Sequence, residues 1–167
     1  MVDLKTKVAY FGVFTALALI FSYVETLIPI HLGIQGVKLG LANLIIVITL
    51  YKMGTKGAYI LSVVRIVLAG FMFANLFSIL YSMAGGFLSL TVMAFLKQTD
   101  KFSVMGVSMA GGVFHNIGQL IMAAIVLESL SITYYLPVLL ISGVLTGFLI
   151  GVIANEMLKR LGKLQLQ

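Results

Sequence analysis

Three polar side chains fall close together in an otherwise apolar stretch: His115, Asn116 and Gln119. On a helix, His115 and Gln119 stack four residues apart, and Asn116 and Gln119 overlap the same side. An imidazole and two amides offer both donors and acceptors. Such a group can hold a small polar ligand. It can equally bond neighbouring helices to one another. Gly111, Gly112 and Gly118 flank it and let other backbones come near. The residues needed for covalent or metal chemistry are missing. There is no cysteine, which removes thiolate nucleophiles, disulfides and thiolate metal sites. The two aspartates, Asp3 and Asp100, lie far apart, and Glu25, Glu128 and Glu156 stand singly. No Asp-rich motif, phosphate-binding loop or metal-ligand cluster occurs. The chain is therefore expected to carry no catalytic residues, no metal and no cofactor.

Other polar residues extend the candidate site. Glu25, Lys38 and Asn43 fall near the end of the first apolar run and the start of the second. Tyr81 belongs to a small, polar stripe of Ser78, Tyr81, Ser82, Gly85 and Ser89 at helical spacing. Tyr134 and Tyr135 open the last run, where aromatic residues commonly mark a membrane interface. Arg65 interrupts the third run and shares a face with Ser62 and Ala69. Left in lipid it would cost around 2.5–3.5 kcal/mol. Counted from the nearest lysines it lies two to three turns into its helix. Either it snorkels to phosphate or forms a structural ion pair, or its small, polar face points into the bundle. Being near the basic end of its helix, it is expected to affect stability or coupling more than ligand affinity.

The elements that must position these residues follow from composition and charge. Hydrophobic residues make up 61% of the chain and charged residues only 10%, against about 25% charged in an ordinary soluble domain. Nine of the eleven cations form four clusters: Lys5/Lys7, Lys52/Lys56, Lys97/Lys101 and Lys159/Arg160/Lys163. The chain crosses apolar sequence twice between successive clusters. Lys and Arg mark the cytoplasmic ends of membrane helices. The expected architecture is an all-α membrane protein of six transmembrane helices with both termini cytoplasmic, one integral membrane domain over residues 1–167. The cations cap apolar runs and do not interleave with aromatics, which argues for anionic lipid and against nucleic acid.

A span needs roughly 20 apolar residues. The predicted helices run over Val8–Val24, Leu39–Tyr51, Ala58–Phe73, Ser78–Leu96, Val104–Leu127 and Tyr135–Leu158. The second is short. The first follows Lys5 and Lys7 but is too long for a signal peptide, so it reads as a retained helix. The first outer connection, Glu25 to about Lys38, holds Pro29, Gly33 and Gly36 yet is rich in Leu and Ile. Either it folds back as a lid over a cavity, or it packs against its own helix ends. In helix 1, Gly12-x-x-x-Ala16 permits close helix approach, to another helix of this chain or to a partner.

Four strings, Glu25-Thr-Leu-Ile-Pro29, Gly36-Val-Lys-Leu-Gly-Leu-Ala-Asn43, Tyr81-Ser-Met-Ala-Gly-Gly86 and His115-Asn-Ile-Gly-Gln119, resemble the membrane family called heptaprenyl diphosphate synthase component I, also known as the Gx transporter family. The resemblance covers about Val8 to Leu158. The Gly-x-Lys-Leu-Gly-Leu segment and the helix with Arg65 are also similar to S components of energy-coupling factor transporters. That similarity implies a six-helix protein in the cytoplasmic membrane that binds a small nutrient from outside under a lid. It implies docking through small residues of helix 1, here Gly12 and Ala16, to a transmembrane coupling subunit that carries two ATPases.

Two functions are expected from these readings. One is a substrate-binding subunit, with Glu25, Lys38, Asn43, Tyr81, His115, Asn116 and Gln119 around a small polar molecule that has an anionic or aromatic part. The other is a membrane accessory of isoprenoid or quinone metabolism. Diphosphate–Mg²⁺ chemistry uses hard oxygen ligands such as clustered carboxylates, and this sequence does not supply them.

Overall fold

A computed structural model describes residues 4–27 and 40–162. The described residues form six α-helices and one short 3-10 helix, without strands. The helices are α1 (Leu4–Leu27), α2 (Leu41–Lys52), α3 (Gly54–Phe73), α4 (Leu76–Gln98), α5 (Val104–Val126) and α6 (Leu136–Arg160). The 3-10 turn Leu130–Tyr135 leads into α6. Five of the helices are long and apolar enough to cross a membrane; α2 is shorter. The protein is a multi-pass membrane protein. Residues 28–39, the greater part of the connection read as a lid or a loop packed on its helix ends, with Lys38 among them, lie outside the described residues.

Side chains at the helix starts explain several boundaries. Asn75 accepts a hydrogen bond from the Ser78 N–H at 2.9 Å and caps α4. Ser103 does the same for Gly106 N–H at the start of α5. Only Met53 separates α2 from α3. Gly54 follows it with φ of 78°, a left-handed conformation that side chains disfavour, and the chain reverses there.

The packing partners set the helices in a ring: α1 meets α2 and α3, α3 meets α4, α4 meets α5, α5 meets α6, and α6 returns to α2. α2 lies deepest. Leu44 through Leu50 are all buried, and Ile45, Ile48 and Leu50 are among the most enclosed side chains. Around them the core takes Phe14 and Ala18 from α1, Leu61 from α3, Leu90 and Met93 from α4, Val107 from α5, and Ile150 and Ala154 from α6. The outward faces are apolar too. Phe71 is 77% exposed and Phe87 66%, as lipid-facing side chains must be, because hydrocarbon solvates them as well as a core would.

The closest helix contact is between α5 and α6. Gly143, Gly147 and Gly151 recur every four residues along α6 and are buried. A Cβ on Gly147 would stand 2.7 Å from both Met109 Cα and Ser108 O of α5. Small residues at this spacing bring backbones together where lipid gives no hydrophobic drive for helix association. On the other side of α5, a Cβ on Gly118 would meet Ala84 O at 2.7 Å. The Ser89 hydroxyl donates to Gly111 O at 2.8 Å in the same interface.

At one end of the bundle, lysines bind the carbonyls that end neighbouring helices. Lys97 Nζ donates to Leu50 O at 2.8 Å and lies 5.1 Å from the centre of the Tyr51 ring. Lys52 Nζ donates to Leu161 O at 2.7 Å. Terminal carbonyls of a helix lack intrahelical partners and carry the negative end of its dipole. These contacts put the C-terminal ends of α2, α4 and α6 together. Among the described residues, the basic clusters thus gather at one end, here called the lysine end.

Two outcomes are expected from this architecture. Gly147→Ala forces a Cβ into backbone and should lower stability by about 1–3 kcal/mol, read as a lower unfolding temperature in detergent. Cysteines placed at Thr55 and Thr99 should react with an impermeant maleimide only from the cytoplasm, and one at Ser131 only from outside.

Candidate functional site

Away from the lysine end, over the N-terminal end of α2, the described residues line a cavity of about 150 Å³. Every α-helix contributes to its wall. Val47, Ile66, Met93 and Ile150 supply apolar surface. Polar surface comes from Glu25 and Thr26 of α1, Asn43 of α2, Arg65 of α3, Ser78 and Ser82 of α4, and His115, Asn116 and Gln119 of α5. An apolar pocket with a few convergent polar groups is the usual form of a small-molecule site.

α2 places the cavity where it is. The helix begins at Leu41 after Gly40, whose φ is 74°. Gly40, Ala42 and Asn43 all line the cavity. The α2 N-terminus would leave unsatisfied amides in an apolar interior. Glu25, at the end of α1, meets this need: its Oε1 accepts from the Leu41 N–H at 2.7 Å. A carboxylate at a helix N-terminus is also favoured by the helix dipole. Glu25 therefore lines the cavity and at the same time joins α1 to α2.

Arg65 reaches the same space. At ~1.5 Å per residue it lies roughly 16 Å along α3 from Gly54, past the middle of a 20-residue helix. It points inward rather than out to phosphate. Its Nη2 donates to Asn43 Oδ1 at 3.4 Å, a long hydrogen bond. Its Nε is buried with no hydrogen-bond partner among the described residues. Arg65 and Glu25 attract one another electrostatically. They are not an ion pair: among the described residues the only pair within 4 Å is Arg160–Glu156, on the surface. Of the two placements open to Arg65, the structure has the inward one: it lines the cavity wall.

His115 and Gln119 line the cavity from the middle of α5 and its next turn. Asn116 does so too, but its Nδ2 also donates to Leu139 O of α6 at 2.7 Å. It thus bonds two helices while bordering the space. On α4 the expected stripe is met in part. Ser78, Ser82 and Ser89 face the cavity and Gly85 is buried against His115 of α5. Tyr81 is not among the lining residues. It lies one residue off the line that Ser78, Ser82 and Ser89 follow. Gly12 and Ala16 sit elsewhere, exposed on α1. A Cβ on Gly12 would meet no atom within 4 Å, so neither packs inside the bundle.

Sequence reasoning missed two things. Arg65 was legible as an inward residue from its face with Ser62 and Ala69, but its depth depended on where α2 begins. The Gly143/Gly147/Gly151 stripe was visible as small residues at four-residue spacing, and it holds α6 in the wall beside Thr146 and Ile150.

The cavity contains hydrogen-bond donors and acceptors, one buried cation and one carboxylate. Among the described residues no group of three or more His, Cys, Asp or Glu could hold a metal ion. The arrangement suits reversible binding of a small polar molecule. Asn116→Ala should lower stability by about 1 kcal/mol, because an interhelical hydrogen bond is lost. Gln119→Ala, without such a bond, should leave the unfolding temperature close to that of the parent. Thermal unfolding of both variants in the same detergent checks this.

Comparison with known proteins gives one assignment. A family model described as heptaprenyl diphosphate synthase component I matches residues 14–157. No curated protein and no solved structure matches the chain.

Proposed function

This chain belongs to the heptaprenyl diphosphate synthase component I family, and on that premise we propose that it is the substrate-capture subunit of a transporter. It takes a small polar nutrient or metabolite from outside the cytoplasmic membrane. One observation carries the reading: the polar cavity lies within the membrane bundle, at the end away from the lysines. Basic helix ends face the cytoplasm. The cavity then belongs to the outward half, where a captured solute would enter.

Capture alone does not move a solute against its gradient. The sequence holds no nucleotide-binding motif, so the energy comes from a partner. A transmembrane coupling subunit with two ATPases, as in energy-coupling factor transporters, is the partner that the resemblance implies. The open face around Gly12 and Ala16 supports it. Backbone on that face is accessible, and small-residue faces are where membrane helices dock.

The family description itself favours a second reading, an accessory role in prenyl diphosphate synthesis. Its chemistry would have to come from another subunit. The residues of this chain do not supply the clustered carboxylates that hold Mg²⁺ and diphosphate.

Co-expression with a coupling subunit and its ATPases separates the two. The chain should co-purify with that module in detergent. Gly12→Leu and Ala16→Leu should each weaken co-purification roughly ten-fold, the effect of about 1.4 kcal/mol, while the isolated variants stay folded. Failure to associate with any coupling module, together with prenyl elongation that depends on this chain, would establish the accessory role and remove the transporter reading.

A further inference from the structure

The cavity holds a cation that the protein leaves incompletely bonded. A guanidinium has five N–H donors. In Arg65 the described residues provide one long bond, Nη2 to Asn43 Oδ1 at 3.4 Å, and nothing for the buried Nε. Glu25, the carboxylate that shares the wall, is already engaged at 2.7 Å by the Leu41 N–H. It lies beyond ion-pair distance of Arg65. A buried charge with this little compensation is costly in a bilayer. A fold that keeps one there leaves room for its counter-charge to arrive from outside.

We infer that Arg65 is the anchor of an anion-binding subsite, and that the cavity takes a small organic acid whose carboxylate meets the Arg65 guanidinium. This inference rests on the capture reading and adds the chemical class of the ligand. A guanidinium edge matches a carboxylate with two parallel hydrogen bonds. The amide groups of Asn43 and Gln119 offer hydrogen bonds to the rest of the molecule, and Ile66 and Met93 give it apolar contact. The α2 N-terminus beside Asn43 adds the positive end of its dipole. Size limits the ligand. A cavity of about 150 Å³ compares with one that accepts a benzene ring. A single ring or a short chain bearing one carboxylate fits that volume.

Matched probes test the charge and the residue together. Benzoate and pentanoate are each compared with the neutral amide and the cationic amine of the same skeleton. Binding to the full chain in detergent is followed by thermal stabilisation and calorimetry. At least one acid should bind saturably and better than its amide by roughly ten-fold or more. In Arg65→Gln that acid-to-amide ratio should fall to near one, and Arg65→Lys should keep part of it. The ratio is read within one variant, so a general loss of stability does not imitate the result. If Arg65→Gln proves too unstable to purify, Arg65→Lys and the parent's own acid-to-amide ratio still decide. Amides or amines that bind as well as the acids, or an unchanged preference in Arg65→Gln, would overturn the anion subsite and leave the capture reading standing. Absence of saturable binding by every probe, with no co-purifying small molecule in native mass spectrometry, would overturn both.

Discussion

A helix of twelve residues is about 18 Å long, and hydrocarbon is about 30 Å thick. α2 is that helix, and its shortfall organises the rest of the bundle. Its C-terminal end is tied at the lysine end, so its N-terminus falls inside the bundle. Two results follow. The body of α2 fills the core of one half with the unbroken apolar run Leu44–Ile48. Its exposed amide end requires an acceptor, which Glu25 provides from α1. Gly40, Ala42 and Asn43, at this end, line the cavity.

The two sides of the cavity are held by different physics. On the α4–α5–α6 side, glycines bring backbones together and side chains have little space to rearrange. Dispersion and short contacts hold that wall. On the α1–α2–α3 side, polar atoms make the connections: Glu25 to Leu41 and Arg65 to Asn43. Hydrogen bonds to charged groups exchange partners more readily than interlocked backbones do. A ligand that competes for Arg65 would therefore act on the polar side first, while the glycine-packed side remains as the fixed reference.

Much of this was legible in the sequence. Apolar runs bounded by lysines gave helix limits within a few residues of those observed, because in lipid the backbone has few alternatives to a helix. The chemistry-bearing group His115, Asn116 and Gln119 does meet Asn43 and Glu25 at one cavity. The polar stripe of α4 turned inward as helical spacing required. What the sequence withheld was rotation and depth. Tyr81 sits one position from a lining serine, and that one residue turns it away. Arg65 was counted from the nearest lysines, a measure that treats all helices as equal spans. The shortness of α2 brings the cavity down to Arg65, and no periodicity within α3 carries that information. Asn116 shows a further limit: bordering a cavity and bonding α6 are compatible, so residue type alone assigns neither.

The bond between Lys52 and the Leu161 carbonyl joins positions 109 residues apart. It sets an order on biogenesis. α2 leaves the ribosome early, with a span too short to be held by lipid alone, yet its tie to α6 cannot close until nearly the whole described chain has been inserted. Until then α2 depends on α1 and α3, on the Lys97 bond to Leu50 O once α4 is in place, and on Glu25 as the cap of its N-terminus. Lys52, part of a cluster that reads as an orientation signal, thus also acts as a last fastener. A chain interrupted before α6 would have correct topology for its first helices and no completed pocket, a state that quality control in the membrane could recognise by its unsheltered second helix.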